Sequence, residues 1–166
     1  GVHPDYPEPV ILPGDSALRA IWSYNNAGKV TERGAEVALN YYLGDSWILD
    51  ANYAWFDFSV IEKSSKDILI PNAPKNKVNG GLTCRSATGL SANLSVKYVP
   101  SFGWAAGIYQ GRIYAYTLVN LSAAYRFTPN VSAGVNVTNL LDREHYEIFG
   151  GSLIGRMTIG SVTLTF

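Results

Sequence analysis

Cysteine, histidine and charge are scarce in this 166-residue chain. It holds one cysteine, Cys84, and two histidines, His3 and His145. A single thiol excludes an internal disulfide, and so few thiols and imidazoles leave no metal-site spacing. Only 16% of residues are charged, with 13 basic and 13 acidic side chains, so nothing in the composition favours nucleic acid. No apolar run approaches the roughly 18 residues of a membrane helix, so any membrane role must come from strands.

The chain ends in a segment that alternates between two kinds of side chain. In Met157–Phe166 the apolar Val162, Leu164 and Phe166 alternate with hydroxyl residues. Successive side chains of a strand point to opposite faces, so one face is apolar and the other polar. This pattern alone suits both a soluble sandwich and a membrane barrel.

The same period of two recurs along most of the chain. It predicts about eight strands, each near the 9 to 11 residues that cross a bilayer when tilted. The predicted strands are 18–24, 35–43, 47–55, 77–85, 90–98, 119–127, 131–138 and Met157–Phe166. The predicted class is therefore all-β, with antiparallel strands in an up-and-down transmembrane barrel wall.

Two features favour a barrel in lipid. The polar faces carry full charges while the apolar faces carry none. Aromatic side chains also lie on the apolar faces at the strand ends, as in the girdles that mark the two headgroup levels. One predicted girdle contains Tyr41, Trp47, Tyr125, Phe127 and Phe166, and the other contains Tyr24, Tyr53, Trp55 and Tyr98.

The connections alternate in length. Those at 44–46, 86–88 and 128–130 are short, and those at 59–76, 99–116 and 141–153 are long. Membrane barrels join strands by short periplasmic turns and longer extracellular loops. The final strand then descends, and Phe166 lies at the periplasmic face. The exception is Asn25–Gly28, which reads as a tight hairpin turn where a long outer loop is expected.

Several segments resemble the TonB-dependent outer-membrane transporters. Asn26–Glu36 looks like their N-x-G…R-G-x-E hairpin, and Tyr53–Asp57 looks like the strand that follows it. Ile70-Pro-Asn-Ala-Pro74, followed by Lys77, resembles their A-P-x-[HN]-K approach to the next strand. Asn136-Val-Thr-Asn-Leu-Leu-Asp-Arg-Glu-His-Tyr146 is similar to their N-[LV]-x-N-L-F-D-x-x-Y element, with Leu141 where Phe is frequent.

The resemblance implies the C-terminal part of a barrel of about 22 strands in the outer membrane of a Gram-negative bacterium. Residues 1–15 are then the remnant of an extracellular loop, and residues 16–166 are the C-terminal portion of the barrel domain. It implies active uptake of a scarce nutrient, favouring an iron-siderophore complex. The implied partners are outer-membrane lipid, an N-terminal plug domain and the TonB energy-transducing complex. No enzyme activity, cofactor or metal site is implied.

The resemblance also gives roles to two sets of residues. Val162, Leu164 and Phe166 fit the signal that the barrel-assembly machinery recognises, although Thr158 stands where an apolar residue is usual. The charged residues of the polar faces are expected to contact the plug, each other or lumen water, with a catalytic group at the barrel rim as the alternative. These residues are Glu36, Asp50, Arg85, Lys97 and Arg126.

The long connections are the remaining place for specificity. Segments 101–114 and 144–149 are rich in aromatic residues, which bury area at modest entropic cost and suit capture of a bulky ligand. We expect Trp104, Tyr109, Arg112 and Tyr146 to lie near the ligand path. The alternative is that these rings only fold the loops onto the barrel rim.

Two other architectures fit part of the pattern. A complete eight-stranded barrel that anchors, adheres or scaffolds would have about this many strands. It requires the first strand to pair with the last. A soluble β-sandwich that acts as a binding module requires a second sheet packed on the apolar face.

Overall fold

The fold is an open, seven-stranded antiparallel β-sheet with a small β-hairpin at one end. The computed structural model describes residues 28–63, 68–106 and 109–166. Its nine strands are β1 (Gly28–Leu43), β2 (Trp47–Lys63), β3 (Asn76–Arg85), β4 (Leu90–Val99), β5 (Phe102–Ala106), β6 (Tyr109–Ile113), β7 (Tyr116–Thr128), β8 (Val131–Thr138) and β9 (Met157–Leu164). No helix in these ranges is long and apolar enough to span a membrane.

Seven strands form one sheet in the order β1-β2-β3-β4-β7-β8-β9, which we call the wall. Each strand pairs antiparallel with the next, as an up-and-down barrel requires. Among the described residues β1 and β9 are the two edges and do not pair with each other, so the wall is open. The second sheet contains only β5 and β6.

The register places the predicted apolar faces together. Side chains directly opposite each other share a face of the sheet. One row across all seven strands contains Tyr41, Leu49, Leu82, Leu94, Leu121, Val137 and Thr158. Most large apolar side chains of this face are exposed, Leu94 at 41% for example. An apolar face of this extent suits contact with lipid.

The aromatic residues lie at the ends of this face. Tyr53 and Tyr98 flank Val78 in one row at the end with long connections. At the opposite end, Tyr125 and Phe127 meet edge to face with ring centroids 5.0 Å apart. Tyr24 lies outside the described residues.

The polar face is held by side-chain hydrogen bonds between strands. Asn52 donates to Glu36 Oε1 at 2.5 Å and accepts from Asn79 at 3.3 Å, so one ladder joins β1, β2 and β3. Asn93 donates to Thr83 at 2.8 Å between β3 and β4. One departure from the sequence expectation is in β9, where Met157 and Ile159 lie opposite Thr138 and Asn136 on this polar face.

The turns at one end are short, as expected. Gly44 and Gly89 have φ of 62° and 96°, which glycine adopts without strain. Thr128 Oγ1 accepts from the Asn130 amide at 3.2 Å in the third turn. Because neighbouring strands of the wall are antiparallel, all three turns lie at the same end of the wall.

The long connections contain more structure than predicted. β1 and β2 continue to Gly28 and Lys63 because they pair with each other beyond the apolar face. The expected loop 99–116 contains the β5–β6 hairpin, which alternation did not reveal because small residues interrupt it. The predicted strand 18–24 and all of the 25–28 turn except Gly28 lie outside the described residues.

Candidate ligand site in the loop crown

The long connections meet at one end of the wall. We call their described residues 68–75, 99–106, 109–115 and 139–156 the loop crown. Side chains that are buried in the described structure concentrate here and at the adjoining strand ends, including Val99, Ile113, Leu118, Asn139 and His145. In the part of the chain that the structure describes, the wall supplies no comparable core, because both of its faces are largely open. The crown is therefore the place where side chains can enclose a ligand.

Asn139 joins the last long connection to the wall. It is 0% exposed and has a positive φ of 54°, a conformation that asparagine tolerates better than most residues. Its amide donates to Asn120 Oδ1 at 3.0 Å. Its side chain donates to the Arg143 carbonyl at 2.9 Å and accepts from the Arg143 amide at 3.1 Å. One buried side chain thus shapes the start of this connection.

Asp142 ties the start of the same connection to its end at Arg156. Its φ is 52°, and Oδ1 accepts from the Arg156 amide at 2.9 Å. Oδ2 lies 3.5 Å from the Arg156 guanidinium, with both side chains about half exposed. Asn139 and Asp142 together bring the two ends of segment 139–156 close to each other. The segment is a compact loop of the kind that holds its shape through its own side chains.

His145 is the main buried ring of this loop. It is 7% exposed and stacks on Tyr116, with ring centroids 4.3 Å apart and an interplanar angle of 30°. Its backbone pairs with Ile154 through bonds of 3.2 and 2.9 Å. Nε2 lies 3.7 Å from Glu147 Oε1. Burial and, secondarily, the Glu147 carboxylate raise the pKa of Tyr116 above 10.0.

The β5–β6 hairpin is held between the other two connections. The Asn72 side chain donates to the Ala105 carbonyl and accepts from the Ala105 amide, both at 2.8 Å, so it acts as a short extra strand beside β5. On the other side, the Phe149 ring lies against Gly111 of β6 so closely that a Cβ there would overlap it. The three long connections therefore form one assembly.

A cavity of about 960 Å³ opens between β6, the start of β7 and the loop 139–156. Its volume is within the range of small-molecule sites. Aromatic side chains and two guanidinium groups dominate the lining, which includes Tyr98, Arg112, Tyr114, Tyr116, Arg143, Glu144, His145, Tyr146 and Phe149. Rings supply apolar area, and guanidinium groups can bind carboxylate or other anionic oxygens in pairs. In the ranges that the structure describes, no three His, Cys, Asp or Glu side chains group as a metal site.

The structure brings together two of the four expected ligand-path residues. Arg112 and Tyr146 line the cavity, and Arg112 also donates to Ser101 Oγ at 2.9 Å. Trp104 lies in β5 opposite Gly111, and Tyr109 begins β6 beside Gly150, so neither ring is part of the lining. All four nevertheless belong to the loop crown.

The other predicted residues lie in the wall. Register places all five charged candidates on the polar face, away from the apolar row: Glu36, Asp50, Arg85, Lys97 and Arg126. The Asp50 carboxylate extends over Gly81, where no side chain obstructs it. Val162 and Leu164 lie on the apolar face of β9, opposite Ala133 and Val131, and Phe166 follows the end of β9.

Sequence reasoning missed the residues that build the crown. Asn72, Asn139 and Phe149 carry the contacts between segments, and none was a candidate. One available signal was asparagine beside proline or leucine in a long connection, because asparagine accepts positive φ and also caps backbone groups. His145 was noted only as one of two histidines, too few for metal-site spacing, although an imidazole can also serve as a buried ring or a ligand donor.

A family model described as "TonB dependent receptor-like, beta-barrel" matches residues 5–140. The ferric-pyoverdine BN7/BN8 receptor of Pseudomonas putida is 27% identical over 138 residues, which are 79% of this chain and 16% of that receptor. The metal-pseudopaline receptor CntO of Pseudomonas aeruginosa is 30% identical over 127 residues, 73% of this chain and 18% of that receptor. The chain thus spans less than a fifth of the length of these relatives.

Solved structures share the fold. The siderophore receptor PiuA of Acinetobacter baumannii superposes with a TM-score of 0.67 at 21% identity, over 82% of this chain and 22% of that one. The ferripyoverdine receptor of the Pseudomonas aeruginosa outer membrane gives 0.64 at 20% identity, over 81% and 19%. The likeness to these receptors disfavours a complete eight-stranded barrel that anchors, adheres or scaffolds. In the described residues no second sheet covers the apolar face, which also disfavours a sandwich.

The matched family comprises receptors of the Gram-negative outer membrane rather than enzymes. The strand order, the apolar face and the matched residues all agree with that assignment. The apolar face of the wall has the character of the lipid-facing side of such a barrel, and the loop crown lies at the end where such barrels carry their longer, extracellular loops. The chain belongs to the TonB-dependent receptor β-barrel family.

Proposed function

We propose that the chain supplies part of the wall and outer loops of a receptor that imports a metal–siderophore complex. The observation that carries this proposal is the 960 Å³ cavity in the loop crown, with its aromatic and guanidinium lining. The relatives named for ferric-pyoverdine and metal-pseudopaline support the same class of ligand. The ligand would bind at the extracellular end, before passage through the barrel.

The chemistry of the lining suits an anionic complex with a planar or apolar surface. Arg112 and Arg143 offer guanidinium groups for carboxylate, catecholate or hydroxamate oxygens. Tyr114 is 78% exposed and Tyr146 is 48% exposed, so their rings are available to cover a bulky ligand. Trp104 and Tyr109 would act from the neighbouring hairpin, by contacting the ligand on its way to the cavity.

The polar face of the wall would contact an N-terminal plug domain. Exposed or half-exposed charges and amides on one face suit a hydrated interface with another domain. Glu36, Asp50, Arg85, Lys97 and Arg126 are the groups that we assign to it. The TonB complex would act on that plug to open a path for the ligand, as the family assignment implies. We propose residues 1–15 as an outer loop and 16–166 as barrel.

The last strand would direct assembly. Val162, Leu164 and Phe166 present alternating apolar side chains at the C-terminal end, and all three are exposed. We assign them to recognition by the barrel-assembly machinery. Replacing Phe166 with Ala in the full-length receptor should lower the amount of folded barrel in the outer membrane, while Thr165→Ala, on the other face, should leave it unchanged. The readout is heat-modifiable migration in detergent gels.

Uptake in cells that lack their own siderophore receptors tests the transport function. The full-length receptor that contains this chain should support accumulation of one radiolabelled complex from a panel of ferric-pyoverdine, ferric-catecholate and metal-pseudopaline complexes. Accumulation should require TonB. If the receptor is folded in the membrane and none of the complexes accumulates, the proposed ligand class is wrong.

The four loop residues give a second test. Replacing Trp104, Tyr109, Arg112 and Tyr146 together with Ala should weaken uptake of the accepted complex at least about 10-fold, because hot-spot rings and arginines dominate binding energy. Ser91→Ala, an exposed residue on the polar face at the end of the wall with the short turns, serves as the control. Unchanged uptake by the fourfold variant would show that these side chains only pack the loops.

A further inference from the structure

His145 carries a nitrogen whose bonding the loop architecture does not complete. Nδ1 lies 3.0 Å from the Arg143 carbonyl oxygen, which can only accept a hydrogen bond. Nδ1 therefore holds the ring proton in the neutral imidazole, and Nε2 presents a lone pair. The side chain is more than nine-tenths buried, and within the described chain Nε2 has no hydrogen-bond partner. Buried polar atoms without a partner are rare in folded proteins, so this nitrogen requires an explanation.

The Glu147 carboxylate faces Nε2 across a short gap. Its Oε1 lies 3.7 Å from Nε2, beyond hydrogen-bond distance, and its side chain is 46% exposed. A lone pair and a carboxylate that face each other do not stabilise one another while the imidazole is neutral. The imidazole nitrogen and the carboxylate oxygen are, however, two ligand atoms of the kinds that first-row divalent metal ions bind. Two such donors at about 2.0–2.1 Å from one ion lie about 2.9 Å apart on an octahedral ion and about 3.3 Å apart on a tetrahedral ion. Glu147 needs only a small movement to reach either spacing.

The surroundings favour a metal that arrives inside a chelate over a bare ion. Arg112 and Arg143 line the same cavity as His145 and repel free cations, but they attract a complex with net negative charge. Two protein donors also leave most coordination positions to other ligands. A chelator that leaves two positions free would complete the sphere.

We propose that His145 Nε2 and Glu147 coordinate the metal of an incompletely chelated, anionic complex in the loop crown. The pair selects a divalent first-row ion such as Ni²⁺, Cu²⁺ or Zn²⁺ over a ferric ion whose six positions are filled by its siderophore. This inference rests on the proposed uptake function and narrows its ligand class. Nδ1–H keeps its bond to the Arg143 carbonyl, and the Tyr116 ring fixes the imidazole plane, so Nε2 binds without losing a proton.

Two nickel complexes test the proposal on the purified, untagged full-length receptor. Nickel nitrilotriacetate leaves two positions of the metal free, whereas nickel ethylenediaminetetraacetate leaves none, and both are anionic. Wild-type receptor should bind the first at least about 10-fold more tightly by calorimetry. His145→Ala and Glu147→Gln should each remove most of that preference. Glu62→Gln, at the outer end of β2 and outside the cavity lining, should keep it.

Spectroscopy separates coordination from a purely structural role of His145. With the copper nitrilotriacetate complex, electron paramagnetic resonance should show an additional imidazole nitrogen in the wild type and lose it in His145→Ala. Glu147→Gln tests coordination separately from the folding of the loop. The Glu147 side chain is half exposed and makes none of the packing contacts described for the loop. Equal affinity for the two nickel complexes, or copper spectra without the imidazole signal, would overturn the inference.

Uptake then distinguishes this inference from the proposed function. Suppose that the wild-type receptor imports a metal complex, and that neither His145→Ala nor Glu147→Gln changes the binding of nickel nitrilotriacetate. Coordination by the pair is then wrong, and the import function stands. If the pair binds nickel nitrilotriacetate as expected while the folded receptor imports no complex from the panel, the coordination stands and the import function is wrong.

Discussion

The wall and the loop crown are built on opposite rules. In the wall, each row repeats the same choice of apolar outward and polar inward, so Leu49, Leu82 and Leu94 are nearly equivalent neighbours. In the crown, individual side chains have individual partners, as Asn139 has Arg143 and Asn72 has Ala105. The wall depends on a pattern, and the crown depends on particular atoms. Conservative changes should therefore be tolerated in the wall and felt in the crown.

The difference has a physical origin in the two environments. Lipid accepts any apolar side chain, and it penalises charge or an unpaired backbone group without regard to sequence detail. The crown excludes water from polar groups such as Asn139, so each buried donor and acceptor needs a partner in a defined position. The following changes test this contrast, starting with the largest expected effect.

An arginine at Leu94 should do the most damage. Leu94 lies in the apolar row near the middle of the wall, where a charged side chain on the lipid face costs about 2–4 kcal/mol. The folded fraction of the full-length receptor, measured by heat-modifiable migration, should fall strongly. Ser95→Arg, one residue away on the polar face, should have a much smaller effect. Equal effects at 94 and 95 would contradict the assignment of faces.

Replacing Asn139 with Ala should loosen the crown without opening the wall. The change leaves the Arg143 backbone groups without their buried partner, at a cost of about 1–3 kcal/mol, and it places Ala at a positive φ. Hydrogen exchange across residues 140–156 should accelerate about 10-fold or more, while heat-modifiable migration persists.

Asn130→Ala is the matched control in the wall. Asn130 lies in an exposed turn and donates to the Thr165 carbonyl at 2.8 Å. Its loss should cost about 0.5 kcal/mol or less, as exposed sites usually do. Comparable effects at 130 and 139 would remove the distinction between the two regions.

Gly111→Ala should separate the hairpin from the last loop. The new Cβ overlaps the Phe149 ring, so the ring must leave β6, at a cost of about 1–2 kcal/mol. Affinity for the imported complex should drop accordingly. Gly103→Ala, in the partner strand, meets only Ile70 Cδ1 at 3.4 Å and should be neutral. Adding Phe149→Ala to Gly111→Ala should relieve the overlap; strictly additive effects would show that the two residues do not interact.

Tyr116 gives the smallest effect and a pH test. Its raised pKa means that the folded loop prefers the neutral phenol. The stabilisation of the folded loop by the neutral Tyr116 phenol is complete below pH 10. It is lost as pH rises through the pKa of Tyr116 in the folded state. The difference between ultraviolet titrations of wild type and Tyr116→Phe should therefore have a midpoint above 10. Glu147→Gln should lower that midpoint but leave it above 10, since burial is the larger cause. A midpoint at 10 in the wild type would contradict the buried stack on His145.

Sequence reasoning succeeded where a period carries the information. Alternation correctly assigned β3, β4, β8 and most of β7. It predicted β1 and β2 too short. Their outer ends pair with each other although the sequence there lacks the pattern of a lipid-facing strand. It missed β5 and β6, whose Gly103 and Gly111 leave too few alternating side chains to detect.

The sequence by itself determined the wall, since local alternation decides which face meets lipid, and a shift of one residue would reverse every side chain. Its motifs also indicated the family. Only the tertiary structure decided the crown, because contacts such as Asn72 with Ala105 and Phe149 with Gly111 join segments tens of residues apart. No local pattern encodes such contacts, which exist only when the wall brings its long connections together. The imidazole of His145 and the carboxylate of Glu147 acquire their setting in the same way.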